Sequence, residues 1–523
     1  MSNEQPKIVG IDLGTTNSLI SIPIKNDKPT LILNERGERI TPSVVTIQPD
    51  QILVGELARS QAVLNHDITI SCVKRFMGTN HSWHIQGKEW SPETISSEIL
   101  KHLKHIAELY LGYEIVDAVI TVPAYFNDFQ REATLKAGEL AGLSVKKLFN
   151  EPTAAALAYA NQHRVDNRLL VFDFGGGTLD ITLLEVKDGA FIVRGVGGNT
   201  ELGGIDFDRI IIDYIKDAFQ KQYGQDLTKD PVAYQQLLIH AERAKIDLTG
   251  AHETKIMIPY VTVTKKGPLH LNMPIARRHF ETLAKPISQT IKTLLLDTLE
   301  SANLGHDWVQ NVVLAGGSSR IPFVKQIIAE VLPKTVTFRH DLNPDEIVAI
   351  GAGVLAGIFG NEYPEMIFKD MVSHDLGLED HEGQFITIIP KGAVYPNEQE
   401  KLFTTTHDNQ KQVIVHVLQR TRPEDQLISL GHFIVQDLPD APAGQPDICV
   451  TFSIDANGIL NVRAVDRQSG VNEEIRLTLP DFKSGANLNH SDSPINTSQN
   501  VSNKEETPEE IKQSGDSKFS IEE

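Results

Sequence analysis

The sequence predicts three parts: an α/β region over residues 1–363, a β-sandwich over residues 375–482, and a disordered polar tail over residues 483–523. Strand and helix signals alternate through the first part, which is typical of α/β architecture. Short strands with polar turns and no helical period fill the second part. The tail is rich in Ser, Asn, Glu and Lys and has too few apolar positions to pack. Residues 364–374 form the linker between the first two parts.

Local signals support the individual elements. Apolar residues recur at helical spacing between Ile95 and Ile106. The run DAVITVPAYF then indicates a buried strand, and Asn127 predicts the N-cap of the next helix. In the second part KQVIVHVLQ alternates apolar and polar residues, and DICVTFSIDANGILNVRAVD predicts a hairpin that turns at Asn457-Gly458.

Composition narrows the class of protein. The 523 residues are too many for one hydrophobic core, so two or more domains are expected. A formal net charge of −20 argues against nonspecific nucleic-acid binding. The two cysteines, Cys72 and Cys449, are far apart, which indicates a reducing compartment without a disulfide framework. Because neither a signal peptide nor a run of membrane-spanning length is evident, we expect a cytoplasmic protein without a membrane partner.

A Gly-rich stretch, LLVFDFGGGTLDITLL (residues 169–184), places three glycines between two apolar strands. Alone, it would most often be a loose turn. However, KIVGIDLGTTNSLISI (residues 7–22) repeats the order of apolar strand, Asp, glycine with hydroxyl residues, and second apolar strand. Glycine lets backbone N–H groups converge on an anion, Asp can hold Mg²⁺, and Thr can bond a phosphate oxygen. The repeat predicts two similar halves with one nucleotide between them.

A third glycine site, VVLAGGSSRIP (residues 312–322), supports the nucleotide prediction. A buried strand ends there at Gly316-Gly317, which permits close approach of a flat ligand, and Arg320 could stack on a purine. A strand followed by Gly-Gly is common by itself. After two Asp-bearing phosphate loops it is a much stronger signal.

These motifs resemble the heat shock protein 70 chaperones (DnaK-like), within the actin and sugar-kinase fold superfamily. The resemblance runs from Ile8 to about Leu479 and is carried by GIDLGTTNS, VKRFMG, VITVPAYFND, EPTAAALAY, FDFGGGTLDIT, LGGIDFD, AERAKIDL, GGSSRIP and NPDEIVAIGA. It implies an actin-like ATPase domain with two halves around a nucleotide cleft, followed by a peptide-binding β-sandwich. The short length is most similar to the HscC-type branch. The family's long helical lid is missing, with at most a remnant in ETPEEIKQSG (residues 506–515).

The resemblance implies ATP or ADP, Mg²⁺ and K⁺ as cofactors. The residues that match nucleotide-binding positions are Gly14, Thr15, Thr16, Asn17, Gly175, Gly176, Gly177, Thr178, Glu242, Lys245, Thr249, Gly316, Gly317, Ser318, Arg320 and Asp345. Lys74 matches the lysine that positions the attacking water, and a cation there would stabilise charge in the transition state. The other catalytic candidates are Asp12, Glu151, Asp173 and Thr178. The residues that would hold the cations, mostly through water, are Asp12, Glu151, Asp173 and Asp180.

For the sandwich, the resemblance implies binding of unfolded, extended client peptides. The apolar pocket of the family corresponds to Leu376, Leu378, Phe403, Val413 and Val415, and the two arch residues over the peptide correspond to His381 and Thr406. Without the resemblance, the alternating valines would indicate plain sandwich core. The polar arch predicts a preference for less hydrophobic segments.

The linker and its docking face depart from the family pattern. Lys369 interrupts the apolar run of the linker sequence EMIFKD. Leu135 and Lys147 replace a lysine and an arginine of the linker-docking face, and an Arg-to-Lys change is not neutral at a bidentate site. These changes predict altered coupling between the two domains.

Three functions remain open. The leading one is an ATP-dependent chaperone in which ATP hydrolysis controls peptide binding, with a J-domain co-chaperone and a nucleotide exchange factor as implied partners. The second is an ATP sensor or scaffold that binds a specific protein with little turnover. The third is a metabolite kinase of the same superfold, which would not explain the β-rich second part.

Overall fold

The computed structural model describes residues 8–24, 27–163, 166–265, 267–339, 341–364, 366–420, 427–467, 472–476 and 519–521. The helices, in chain order, are α1 (Glu56–Gln61), α2 (Pro92–Leu111), α3 (Asp128–Leu140), α4 (Glu151–His163), α5 (Gly204–Tyr223), α6 (Pro231–Gly250), α7 (Arg277–Leu283), α8 (Lys285–Ser301), α9 (Pro322–Val331) and α10 (Ile347–Phe359). None of the described helices is both long enough and apolar enough to cross a bilayer.

The strands of the first part, in chain order, are β1 (Ile8–Asp12), β2 (Asn17–Ile22), β3 (Thr30–Leu31), β4 (Thr41–Pro42), β5 (Val44–Ile47), β6 (Ile52–Val54), β7 (Thr69–Ser71), β8 (Trp83–Ile85), β9 (Lys88–Trp90), β10 (Asp117–Val122), β11 (Ser144–Asn150), β12 (Asn167–Phe174), β13 (Leu179–Lys187), β14 (Ala190–Asn199), β15 (Glu253–Thr264), β16 (Gly267–Ala276), β17 (Asn311–Ala315) and β18 (Thr337–Arg339). Those that follow are β19 (Ile367–Met371), β20 (Asp375–Glu379), β21 (Phe385–Ile389), β22 (Val394–Tyr395), β23 (Asn397–Thr405), β24 (Val413–Arg420), β25 (Ile428–Val435), β26 (Ile448–Ile454), β27 (Leu460–Asp466), β28 (Asn472–Arg476) and β29 (Phe519–Ile521).

Two sheets of the same design form the centre of the α/β region, and three smaller sheets, β6-β5-β7, β8-β9 and β15-β16, flank them. One has the strand order β11-β10-β1-β2-β3 and the other contains β18-β17-β12-β13-β14. In each sheet the first three strands in sequence are antiparallel, and two later strands join in parallel on the other side of the first: β10 and β11 in one sheet, β17 and β18 in the other. The second sheet therefore repeats the first, which confirms the prediction of two similar halves.

Helices α4 and α10 pack against each other between the two sheets. The alanine-rich sequence of α4 has buried positions from Ala154 to Ala160, and α10 presents glycine to it. A Cβ on Gly351 would lie 1.9 Å from the carbonyl oxygen of Ala154, so this close approach requires glycine. The contact joins the two halves along their shared core.

The second part forms two packed sheets, antiparallel except for the last strand, β29, as the alternating pattern predicts. One has the order β21-β20-β24-β25 and the other β28-β27-β26-β23-β29. Their facing residues make one core that includes Phe403, Val413 and Phe452. The predicted hairpin joins β26 to β27, and its turn contains Asn457 and Gly458, which has a φ of 76°.

Two sequence expectations concern the end of the chain. The prediction of a disordered tail over residues 483–523 is wrong for Phe519–Ile521, which forms β29 on the edge of β23. Composition favours disorder for a long polar stretch, but three alternating residues can still pair with an existing strand edge. The predicted lid remnant at residues 506–515 lies outside the described residues.

Candidate functional site

The candidate nucleotide site is a cleft between the two sheets of the α/β region. The loops that follow β1, β12 and β17 line this cleft, because the carboxyl ends of all three strands face it. Its lining residues are Asp12, Gly14, Thr15, Thr16, Asn17, Leu19, Ile40, Lys74, Glu151, Asp173, Gly175, Gly176, Thr178, Gly316, Gly317, Pro344, Asp345 and Val348. Three stretches of sequence far apart in the chain therefore meet at one cavity.

The two Gly-rich loops touch each other, which explains the run of three glycines. A Cβ on Gly176 would lie 1.9 Å from Oγ1 of Thr16, and a Cβ on Gly177 would lie 2.6 Å from Oγ1 of Thr15. Only glycine at these positions lets the hydroxyl loop and the glycine loop approach so closely. Thr15 and Thr178 are buried at this contact.

An ion pair lies on the floor of the cleft. Nζ of Lys74 is 2.5 Å from Oε1 of Glu151, and both side chains are less than one-tenth exposed. Lys74 is held by a 3₁₀ turn over residues 73–76, whereas Glu151 begins α4. The lysine is therefore directed into the cleft with its charge balanced by one carboxylate.

Three aspartates surround this pair: Asp173 and Asp180 are buried, and Asp12 is partly exposed. Oδ1 of Asp12 accepts a hydrogen bond from Thr121 at 3.1 Å, and Oδ1 of Asp180 accepts one from the backbone N–H of Tyr125 at 3.1 Å. Burial, followed by the charge of Glu151, raises the pKa of Asp12 to about 7. The same two causes raise the pKa of Asp180 to about 7 and that of Asp173 well above its ordinary value.

The carboxylates of the cleft carry more negative charge than Lys74 can balance. A bound cation would lower their pKa values, because an opposite charge favours the ionised form. Hard cations such as Mg²⁺ prefer oxygen ligands, so the donor set fits one. Among the described residues no group of three or more His, Cys, Asp or Glu is arranged to hold a metal directly.

The third glycine site closes one side of the cleft. Gly316 and Gly317 line it, and Oγ of Ser318 donates to the carbonyl oxygen of Gly175 at 2.8 Å. This hydrogen bond ties the third site to the glycine loop. Arg320 lies nearby, half exposed, and its guanidinium pairs with Asp345 at 2.6 Å.

The candidates on α6 are held near the cleft but do not line it. Lys245 pairs with Asp208 at 2.9 Å and donates to the carbonyl oxygen of Gly204. The hydroxyl of Thr249 donates to the carbonyl oxygen of Lys245 at 3.2 Å, so it is used within the helix. Glu242, one turn before Lys245, lies close enough to Asp208 to raise the pKa of that carboxyl, an effect that ranks below burial.

Sequence reasoning missed several residues around the cleft. Asp208 belongs to the motif LGGIDFD, but the motif does not indicate that Asp208 pairs with Lys245. Pro344 and Val348 belong to the motif NPDEIVAIGA, which is a sufficient signal to predict that they line the cleft. Leu19 and Ile40 carry no sequence signal, because an apolar residue gives no indication that it faces a cleft rather than the core.

The candidate peptide-binding residues lie in the sandwich core. Leu376, Leu378, Phe403, Val413 and Val415 are all at most 3% exposed. The two arch candidates, His381 and Thr406, are outside this core, and Oγ1 of Thr406 lies 2.8 Å from Nδ1 of His407. The apolar set is therefore assembled but covered.

A polar interface connects the sandwich to the α/β region. Arg131 on α3 donates to the carbonyl oxygen of Asn457 at 3.2 Å, and the backbone N–H of Leu148 donates to Oδ1 of the same asparagine at 3.0 Å. Lys147 donates to the carbonyl oxygen of Ala456. Asp128 accepts from the backbone N–H of Leu460 at 2.8 Å. The turn between β26 and β27 thus docks on α3 and β11.

The linker lies in a sheet. β19 pairs in parallel with β14 and antiparallel with β22, so one strand belongs to both regions. Lys369 is exposed on it, whereas Asp370 is buried and accepts a hydrogen bond from Thr153 at 3.2 Å. Leu135 packs beside the core of the first half. Glu365 of the predicted linker lies outside the described residues.

Two similar sheets around a cleft lined by two glycine-containing loops, followed by a β-sandwich, define a two-part protein with a candidate nucleotide site. A family model described as "Hsp70 protein" matches residues 8–522 of the chain. The chain belongs to the Hsp70 family, whose members are ATP-binding chaperones that assist protein folding. This confirms the family that the sequence motifs indicate.

Proposed function

We propose that the protein is an ATP-dependent chaperone in which hydrolysis of ATP to ADP and phosphate in the cleft controls the binding of extended peptides by the sandwich. The observation that carries the proposal is the cleft itself, where two glycine-containing loops meet around a buried lysine and four acidic residues. Members of the family are generally ATPases that bind nucleotide with Mg²⁺. The proposal assigns these properties to particular residues of this chain.

In the proposed mechanism the loops bind the phosphates. Gly14, Thr15, Thr16, Asn17, Gly175, Gly176 and Thr178 line the cleft. Free backbone N–H groups of these loops would bind phosphate oxygens, and Thr15 and Thr178 would add hydroxyl donors. Asp12, Glu151, Asp173 and Asp180 would hold Mg²⁺ and K⁺ through water. These cations would neutralise the charge on the phosphates.

Lys74 has the central catalytic role in this proposal. Its ammonium group orients the attacking water and stabilises charge on the transferred phosphoryl group. Glu151 pairs with the lysine and holds it in the cleft. Gly316, Gly317, Ser318, Arg320 and Asp345 would bind the adenosine, and Glu242, Lys245 and Thr249 would complete that side.

For the sandwich, we propose that extended client segments bind at Leu376, Leu378, Phe403, Val413 and Val415, below His381 and Thr406. These apolar residues are covered, so binding requires the sandwich to open at this face. The shared strand β19 and the docked β26–β27 turn supply the physical connection through which nucleotide in the cleft controls that opening. J-domain and exchange co-chaperones, general partners of the family, would act on this cycle.

The deciding experiment measures ATP turnover with and without a panel of extended apolar peptides. We expect slow hydrolysis that needs Mg²⁺, needs no small-molecule acceptor and is stimulated by some peptides. Tight ATP binding with no turnover would instead favour an ATP sensor or scaffold. Rapid ATP consumption that depends on a metabolite would favour a kinase.

A further inference from the structure

A short strand from residues 519–521 occupies the margin of the five-stranded sheet. β29 runs parallel to β23, with Phe519 opposite Phe403, Ser520 opposite Thr404 and Ile521 opposite Thr405. On its other side β23 pairs with β26. Within the part of the chain that the structure describes, β29 is therefore what converts β23 from an edge strand into an internal one.

The β23 edge is suited to accept an added strand. An edge strand presents unpaired backbone N–H and C=O groups, which an extended segment can satisfy. The side-chain hydroxyls of Thr404 and Thr405 are also buried there, without a hydrogen-bond partner among the described residues. A strand that reached these hydroxyls with polar groups would gain hydrogen bonds at this edge.

The position of β29 coincides with the candidate peptide-binding residues. Phe403, which β29 pairs with, has no exposed surface, and β29 also lies against β24, the strand that carries Val413 and Val415. Thr406, one of the two arch candidates, follows directly after the paired residues. The added strand is thus located at the face where we propose that clients bind.

The sequence of this segment is suited to the pairing. Phe-Ser-Ile alternates apolar and polar residues, the pattern of a half-buried strand, within an otherwise polar stretch. A strand of three residues makes few ladder hydrogen bonds, so its pairing is weak and reversible. These are the properties of a segment that can be exchanged.

We propose that Phe519–Ile521, hereafter the FSI segment, is an intramolecular competitor of client peptides. It occupies the β23 edge, and a client adds its own strand there only after displacing it. This inference rests on the proposed function, because it takes the β23 edge as the client site. The pairing is intramolecular and so independent of protein concentration. The apparent affinity for a client equals its intrinsic affinity multiplied by the fraction of molecules in which the edge is free.

The test compares two proline variants of the full chain. Ser520→Pro removes a backbone N–H and interrupts the paired strand. Ser502→Pro places the same residue elsewhere in the polar stretch and serves as the matched control. The probe is a fluorescein-labelled leucine-rich heptapeptide whose binding is followed by anisotropy. We expect Ser520→Pro to bind it about tenfold more tightly than wild type, and Ser502→Pro to match wild type.

Hydrogen–deuterium exchange at residues 403–405 gives a second readout that needs no client. We expect faster exchange in Ser520→Pro than in wild type and Ser502→Pro, because the edge amides lose their partners. Unchanged exchange overturns the pairing. Faster exchange with unchanged probe affinity overturns the competition. If neither wild type nor the variants bind any extended peptide, the proposed client site fails and the competition with it, whereas exchange still decides the pairing.

Discussion

The candidate nucleotide cleft and the proposed peptide-binding face of the sandwich differ in whether a ligand can enter without a conformational change. In the cleft, polar groups from three loops already surround an open space. In the sandwich, Phe403 and Val413 have no exposed surface and their edge is already paired. A ligand of the cleft needs only to enter, whereas a ligand of the sandwich must first open it. Under the proposed function, the conformational step of the cycle therefore lies in the sandwich.

The largest expected effect tests whether the cleft is ready for catalysis. Replacing Lys74 with Ala should lower single-turnover ATP hydrolysis by about 100-fold, or about 2.7 kcal/mol of transition-state stabilisation, while ATP still binds. Lys101→Ala is the control, because that lysine is exposed and pairs with Glu98 on the surface of α2. Hydrolysis by Lys74→Ala at the wild-type rate would show that the ion pair with Glu151 is structural only.

The second prediction tests whether the sandwich face is closed. Val413→Phe adds a ring to a fully buried position and should destabilise the sandwich by about 1–3 kcal/mol through overpacking, with loss of peptide binding. Ile414→Phe, on the opposite face of the same strand and partly exposed, is the matched control. Urea unfolding and peptide anisotropy measure the two effects. Normal stability of Val413→Phe would mean that space exists at this site without opening.

The third prediction concerns the contact between the two loops of the cleft. Gly176→Ala places a Cβ against Thr16 and should separate the loops, weakening ATP binding about tenfold, which is about 1.4 kcal/mol. Gly250→Ala is the control, because a Cβ there meets no atom within 4 Å. Isothermal titration with ATP and Mg²⁺ measures the difference. Equal affinity in the two variants would show that the loops can separate without cost to the phosphate site.

The smallest expected effect tests the connection between the two regions. His374 is buried against Tyr125, and burial, followed by the charges of Lys391 and Arg131, lowers its pKa to about 3. Unfolded, it takes a proton near its ordinary pKa of about 6.5. Its contribution to stability is therefore present above pH 6.5 and lost as the pH falls below it, by up to about 1.4 kcal/mol per pH unit.

The variant His374→Phe isolates this effect, because phenylalanine keeps the ring contact and does not titrate. Urea unfolding should show that the free energy of unfolding falls more between pH 7.5 and pH 5.5 in wild type than in His374→Phe. His432→Phe, at an exposed position, should behave like wild type. Equal pH dependence in wild type and His374→Phe would show that the histidine is accessible to protons in the folded protein.

The sequence predicts the cleft well because its chemistry is local. Asp12 and Thr16, or Asp173 and Gly176, are a few residues apart, and strand geometry alone brings each set to one loop. The repeat of the pattern then predicts that the loops face each other. What the pattern does not contain is the packing of Gly176 against Thr16, which depends on how α4 and α10 bring the two halves together.

The sequence predicts the sandwich and its docking less completely. Alternation identifies Val413 and Val415 as facing inward, but it does not distinguish a closed core from an open pocket. The contacts of Arg131 with Asn457 and of Asp128 with Leu460 join residues more than 300 positions apart and use backbone groups. Backbone hydrogen bonds carry no side-chain signature, so docking of this kind is invisible in a sequence.

The position of β19 in two sheets has a practical consequence for limited proteolysis. Trypsin cleaves after lysine and needs an extended, unpaired stretch of backbone in its active site. Lys369 is exposed at its side chain, but its backbone lies in the strand that pairs with β14. While the linker is paired, that bond resists cleavage, and it becomes a site for nicking once the strand leaves the sheet. One tryptic cut after Lys369 would then report, on a gel, the fraction of molecules in which the two regions have separated.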